Sequence, residues 1–139
     1  MKTILLDTNM LVSCLRFRID LFGELERLVA GPHELVVPSP VVQELRVLAA
    51  GRGRDRGFAR AALALLEKRK VRVEEDGPNA GEEPAAKGKG GQSADDWLVE
   101  KAKGTNAIVC TNDVGLKKRL ASGKVQIITM LHRSHLDFV

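Results

Sequence analysis

The sequence contains no tyrosine, one tryptophan and four phenylalanines. A protein that grips unpaired bases by stacking needs a row of aromatic faces, and an aromatic content of 4% does not supply one. No apolar run approaches the roughly 18 residues of a membrane-spanning helix. Cysteine is scarce: Cys14 and Cys110 stand alone, with no CxxC or metal spacing. They are expected to be buried, reduced thiols of a cytosolic chain. There is no GxGxxG, no P-loop and no internal repeat, and no Ser-His-Asp or Cys-His set can be argued from residue order. The opening "MKTILLDTNM" lacks the long apolar region and small-residue cleavage site of a signal peptide, and it reads as a first strand.

What is present fits one domain over residues 1–139. The chain is long enough for one core, and 44% of it is hydrophobic. The net charge of +4 and pI near 9.3 permit an anionic partner such as nucleic acid without requiring one.

Short apolar runs alternate with helical periodicity. "TILL" (3–6), "ELVVP" (34–38), "VRVEE" (71–75), residues 107–111 and "VQIITM" (125–130) read as strands. Helices are expected over 9–16, 19–30, the stretch after Ser39-Pro40, 58–70, 94–103 and 113–121. In the third of these Ser39 serves as N-cap and Pro40 as first helical residue. Residues 76–93, rich in Gly, Pro, Ala and charge, read as a flexible loop. The alternation predicts an α/β fold of three layers, α/β/α, with a central parallel sheet of about five strands. In such sheets, sites form beyond the carboxyl ends of the strands.

Two predicted strands stop on an acid, "TILLDTN" on Asp7 and "IVCTND" on Asp113. Both acids also suit a helix N-cap. Glu44 falls at the edge of its helix's apolar face, where a simple dipole-stabilising glutamate is the plain alternative. In "SADDWLVEKA", with Ser93 as N-cap, Asp95 lies roughly 60° from the centre of the apolar face and Asp96 roughly 160°. Asp95 is therefore aimed inward, and Asp96 outward to complete a capping box. Singly, each acid has a structural explanation. Together on one sheet edge they would repel one another unless a cation sat among them. Carboxylate oxygens select hard ions, Mg²⁺ or Mn²⁺, which suit phosphodiester hydrolysis.

The "DTN" after the first strand, the Glu after the second, "ADDWLVEKA" and "TND" resemble, in order and spacing, the PIN-domain ribonucleases. "ADD" and "TNDVGLKKRL" are most similar to the PIN nucleases of ribosomal RNA processing in archaea and eukaryotes. VapC-type toxins form the neighbouring branch. The resemblance implies an Mg²⁺- or Mn²⁺-dependent endoribonuclease acting on single-stranded RNA, a five-stranded parallel sheet and frequent homodimers. Residue by residue, it makes Asp7, Glu44, Asp95 and Asp113 the metal-holding and catalytic set, with Asp96 as the competing third ligand. Asn9 and Thr111 would support the site by hydrogen bonding. An antitoxin or a ribosome-assembly partner follows from one branch or the other.

Other basic residues cluster at Arg52, Arg54, Arg56 and Arg60, at 68–70, and at Lys117 to Arg119. Lys87 and Lys89, in "KGKGG", are candidates for drawing RNA backbone toward the metal, with a solvated loop as the alternative. The histidines of "HRSH" have no carboxylate cluster or cysteine near them in sequence and read as surface residues. A binding scaffold that keeps the fold and the acids is a second hypothesis. A receiver-like phosphoacceptor is a third, set aside because the first strand ends on a single Asp and no lysine follows the last.

Overall fold

The computed structural model describes residues 1–75 and 94–139. The predicted loop at 76–93, with Lys87, Lys89 and the expected cap Ser93, lies outside them. The first half runs β1 (Lys2–Leu6), α1 (Thr8–Arg16), α2 (Leu21–Leu28), β2 (His33–Pro38), α3 (Ser39–Ala50), α4 (Arg56–Lys68) and β3 (Arg72–Glu74). The second runs α5 (Ala94–Lys103), β4 (Ile108–Cys110), α6 (Val114–Ser122), β5 (Gln126–Leu131) and β6 (His135–Phe138).

The six strands form one sheet in the order β3-β2-β1-β4-β5-β6. Its first five strands are parallel and β6 is antiparallel to β5. The sheet is thus one strand larger than the sequence pattern predicts. The missing strand follows a turn closed by Ser134 N–H donating to the Leu131 carbonyl. His132 and Arg133, at its centre, both have left-handed φ, +53° and +54°. Such turns favour Asn and Gly, so "HRSH" carries no hairpin signal.

Side-chain alternation along the strands separates two cores. Ile4, Leu6, Val37, Ile108, Cys110 and Ile128 face α1 to α4. Leu5, Val36, Val109 and Ile127 face α5 and α6, where Trp97, Leu98, Leu116 and Leu120 meet them. Each fully buried aliphatic side chain contributes about 1.5–3 kcal/mol. Lys101 of α5 reaches back to Glu74 of β3 at 3.1 Å, fixing α5 against the far side of the sheet. Cys14 and Cys110 are buried free thiols, and burial pushes the Cys14 thiol up to about 12.

Chain direction reverses between β1 and β4. From β1 the chain builds outward through β2 and β3, then crosses to β4 on the opposite side of β1. A crevice at such a switch point lies beyond the strands' carboxyl ends and is where α/β sheets form their sites.

The outer edge of β6 is closed by α2. Glu24 Oε1 accepts from the Leu136 N–H at 2.9 Å, and Arg27 donates to the Leu136 carbonyl at 2.8 Å. Glu24 and Arg27 are themselves an ion pair at 3.0 Å. One helical turn thereby supplies the donor and the acceptor that a further strand would offer.

Candidate active site

Asp7 follows β1 directly, and the Thr111-Asn112-Asp113 turn follows β4 directly. These strands are neighbours, so the two motifs meet across the switch point. Asp7 is buried and caps α1, its Oδ1 accepting from Met10 N–H at 2.8 Å. Its Oδ2 accepts from the Thr111 hydroxyl. Thr111 Oγ1 also accepts from Asp113 N–H at 3.1 Å, and Asp113 caps α6 through Leu116 N–H at 2.8 Å. A single hydroxyl therefore locks the two acids in register. Both acids are helix caps, as their sequence context allowed, and capping does not disqualify them. An ionised carboxylate has about four lone-pair sites, and a cap uses one.

Burial is the main force on Asp7. It raises the carboxyl from 3.8 to about 6 against the lowering influence of the Thr111 and Met10 hydrogen bonds. The negative charges of Asp95 and Asp113 push it further up. Asp95 is raised first by burial and then by Asp113, with Arg119 opposing. Three acids from three separate elements therefore lie within one another's field. The adjacent pair is half-buried at both positions: Asp95 feels the charge of Asp113, while Asp96 accepts from Arg119 of α6 at 2.9 Å.

Glu44 is exposed rather than set at a half-buried rim, because α3 buries a narrow face, Val41, Val42, Leu45 and Ala49, and Gln43 and Glu44 lie outside it. Ser39 is the first residue of α3 and not its cap, a position that Pro38 takes. Its carboxylate is tied to the site by Thr8, whose hydroxyl donates to Glu44 Oε1. Asn9, expected to support the acids, is exposed and accepts from Ser13 at 3.2 Å within its own helix. Thr8, its neighbour, makes the contact across to α3.

Sequence reasoning also passed over Asn112. Its Oδ1 accepts from Met130 N–H at 2.9 Å and from the Thr129 hydroxyl at 3.2 Å, stitching the acid-bearing turn to β5. The signal was available: an amide placed between two site residues at a strand end has backbone groups of the next strand within reach.

Asp7, Glu44, Asp95 and Asp113 take part in no ion pair among the described residues. A buried acid with two like-charged neighbours and no ion-pair partner among the described residues is a donor set that suits a divalent ion. Among the described residues, no three His, Cys, Asp or Glu side chains are drawn together as a finished metal cage. A closed cage is not what Mg²⁺ needs, since it keeps several waters and is held by one or two carboxylates plus substrate phosphates. The all-oxygen set therefore fits such an ion by its chemistry.

The family described as "PIN like domain" matches residues 4–133. The chain belongs to this family. Among curated proteins, the PIN-like chain is 26% identical over 141 residues to Ribonuclease VapC4 of Methanocaldococcus jannaschii, covering 99% of this chain and 96% of the relative. Among solved structures, the PIN domain endonuclease Utp24 superposes with a TM-score of 0.74 at 23% identity, over 98% of this chain and 90% of that one. VapBC-1 of nontypeable Haemophilus influenzae gives a TM-score of 0.60 at 21% identity, over 90% of this chain and 96% of that one. These structural likenesses show the PIN-like fold. Among the described residues, no helix is long and apolar enough to cross a membrane.

Proposed function

We propose that this PIN-like protein is a divalent-metal-dependent endoribonuclease that cleaves single-stranded RNA by hydrolysis of a phosphodiester bond. One observation carries the reading. Asp7, Asp95 and Asp113 are delivered by three elements to the switch point; the charges of Asp95 and Asp113 raise the buried Asp7, Asp113 also raises Asp95, and none of the three is ion-paired among the described residues. The ribonuclease name of the curated relative, matched over nearly the whole chain, supports it.

Asp7, Asp95 and Asp113 would hold Mg²⁺ or Mn²⁺, with Glu44 completing the set and Asp96 left to its bond with Arg119. A bound ion of this kind supplies a more acidic water and a clamp on phosphate oxygens. The chain's own residues do the rest. Thr111 fixes the spacing of Asp7 and Asp113. Thr8 aims Glu44 across from α3, where its carboxylate orients the attacking water and takes its proton. No side chain attacks the phosphorus.

A short single-stranded oligoribonucleotide is the test substrate. Cleavage is expected with Mg²⁺ or Mn²⁺ and is expected to stop with EDTA. Equal cleavage by the Asp7→Asn variant sinks the proposal.

The biological role has two readings that share this chemistry. The sequence motifs resemble those of rRNA-processing nucleases, whose partners are assembling ribosomes. The curated relative is named VapC4, which favours a toxin held by a small antitoxin. Growth arrest on expression, relieved by the product of a neighbouring small gene, decides for the toxin. A homodimer and a cytoplasmic location belong to both.

A further inference from the structure

Lys117 is an ammonium in an unfavourable place. It sits one turn into α6, its N–H bonded to the Asp113 carbonyl at 2.9 Å. The N-terminal end of a helix carries partial positive charge and disfavours cations. The side chain is half-buried, and it forms no ion pair among the described residues. Asp113, four residues earlier, is at the spacing that suits a helical ion pair. Yet the ammonium donates to a neutral group, Thr129 Oγ1, at 3.3 Å. Its neighbours differ. Lys118 is exposed, and Arg119 is engaged with Asp96.

The Thr129 contact fixes where this charge stands. Thr129 is buried at the carboxyl end of β5, and its hydroxyl also donates to Asn112. Asn112 lies between Thr111, which holds Asp7, and Asp113. The ammonium is therefore anchored on the β5 side of the acid cluster. Among the described residues only Thr129 accepts from it, and an ammonium has three donors. A fixed, half-dehydrated cation with spare donors beside acids that would hold a divalent ion matches one ligand chemistry, a phosphodiester oxygen.

We propose that Lys117 binds an RNA backbone phosphate on the β5 side of the acid cluster, with Thr129 holding it in position before RNA arrives. The proposal rests on the endoribonuclease reading and adds the direction in which the strand leaves the site.

The test is binding of a fluorescently labelled oligouridylate to the full chain in EDTA, between 50 and 200 mM salt, by anisotropy. Each phosphate contact to a single strand contributes about 0.7 to the slope of log affinity against log salt. Lys117→Gln is expected to bind several-fold more weakly at the low-salt end and to lose about 0.7 of that slope. Its melting temperature is expected to match the native protein's. Lys117→Arg keeps the slope. An unchanged affinity and slope in Lys117→Gln overturns the proposal. So does an equal defect in Lys117→Arg accompanied by a fall in melting temperature, which marks a structural role. Cleavage of the same oligouridylate in Mn²⁺ is measured alongside. Failure of the native protein to cleave defeats the nuclease reading, while a lost slope in Lys117→Gln still supports the phosphate contact.

Discussion

Asp7→Asn keeps the shape of a buried side chain and removes its charge. The acceptor for Met10 N–H survives in the amide oxygen, and the Thr111 hydroxyl can turn to accept from the amide nitrogen. The folded state holds the Asp7 carboxyl at about 6 against 3.8 in an unperturbed chain. Because the folded value is the higher one, folding favours the protonated form. The stability from that preference is fully present below pH 3.8 and is lost as pH rises through about 6. At ~1.4 kcal/mol per pH unit, the ionised carboxylate destabilises the metal-free fold by about 3 kcal/mol at pH 7, and by roughly half that at pH 5. Asp7→Asn removes the penalty. In EDTA at pH 7 it is expected to be more stable than the native protein by up to about 3 kcal/mol, or roughly 3–5 °C in melting temperature per kcal/mol. Its advantage should shrink by about half at pH 5. Adding Mn²⁺ should stabilise the native protein and leave the variant unchanged. Urea denaturation at pH 5, 6, 7 and 8, with and without Mn²⁺, measures all three effects. A variant no more stable than the native protein at pH 7, or an advantage independent of pH, would refute the view that Asp7 is kept charged at the fold's expense.

Thr111→Val removes the hydroxyl shared by Asp7 and Asp113. Because that hydrogen bond lowers the Asp7 carboxyl, the acidic limb of the pH–rate profile should move to higher pH and the rate should fall at least tenfold. Asn112→Ala leaves Met130 N–H without its partner. It should destabilise the protein by about 1–3 kcal/mol in urea denaturation, with the loss of activity exceeding the loss of folded protein.

The parallel part of the sheet was legible because strands buried on both faces are continuous apolar runs, and "TILL", "LVV" and "IVC" have no other reading at their length. Strand β6 was not, since its turn uses His132 and Arg133 where turn chemistry predicts Asn and Gly. Helix phase separated Asp95 from Asp96; both are half-buried, with Asp95 in the field of Asp113 and Asp96 hydrogen-bonded to Arg119. Phase placed Glu44 poorly, because an angle at the edge of an apolar face falls on either side of the buried boundary, and Glu44 falls outside it with Gln43. Thr8 and Asn112 stayed hidden for a different reason. Their partners, Glu44 and β5, lie 36 and 18 residues away, and periodicity carries no information about contacts between elements.

The Glu24–Arg27 clamp on Leu136 joins residues 112 and 109 positions apart. Contacts of that span form late, because the loop between them must be closed before they stabilise anything. The β5–β6 hairpin can assemble locally, but its outer edge stays open until a helix made near the start of the chain has docked. Until then the hairpin is an unpaired edge able to add a strand from another copy. A lesion in α2, far from the acids, should therefore show itself in yield and aggregation during folding, while the protein that escapes retains the chemistry of the switch-point crevice.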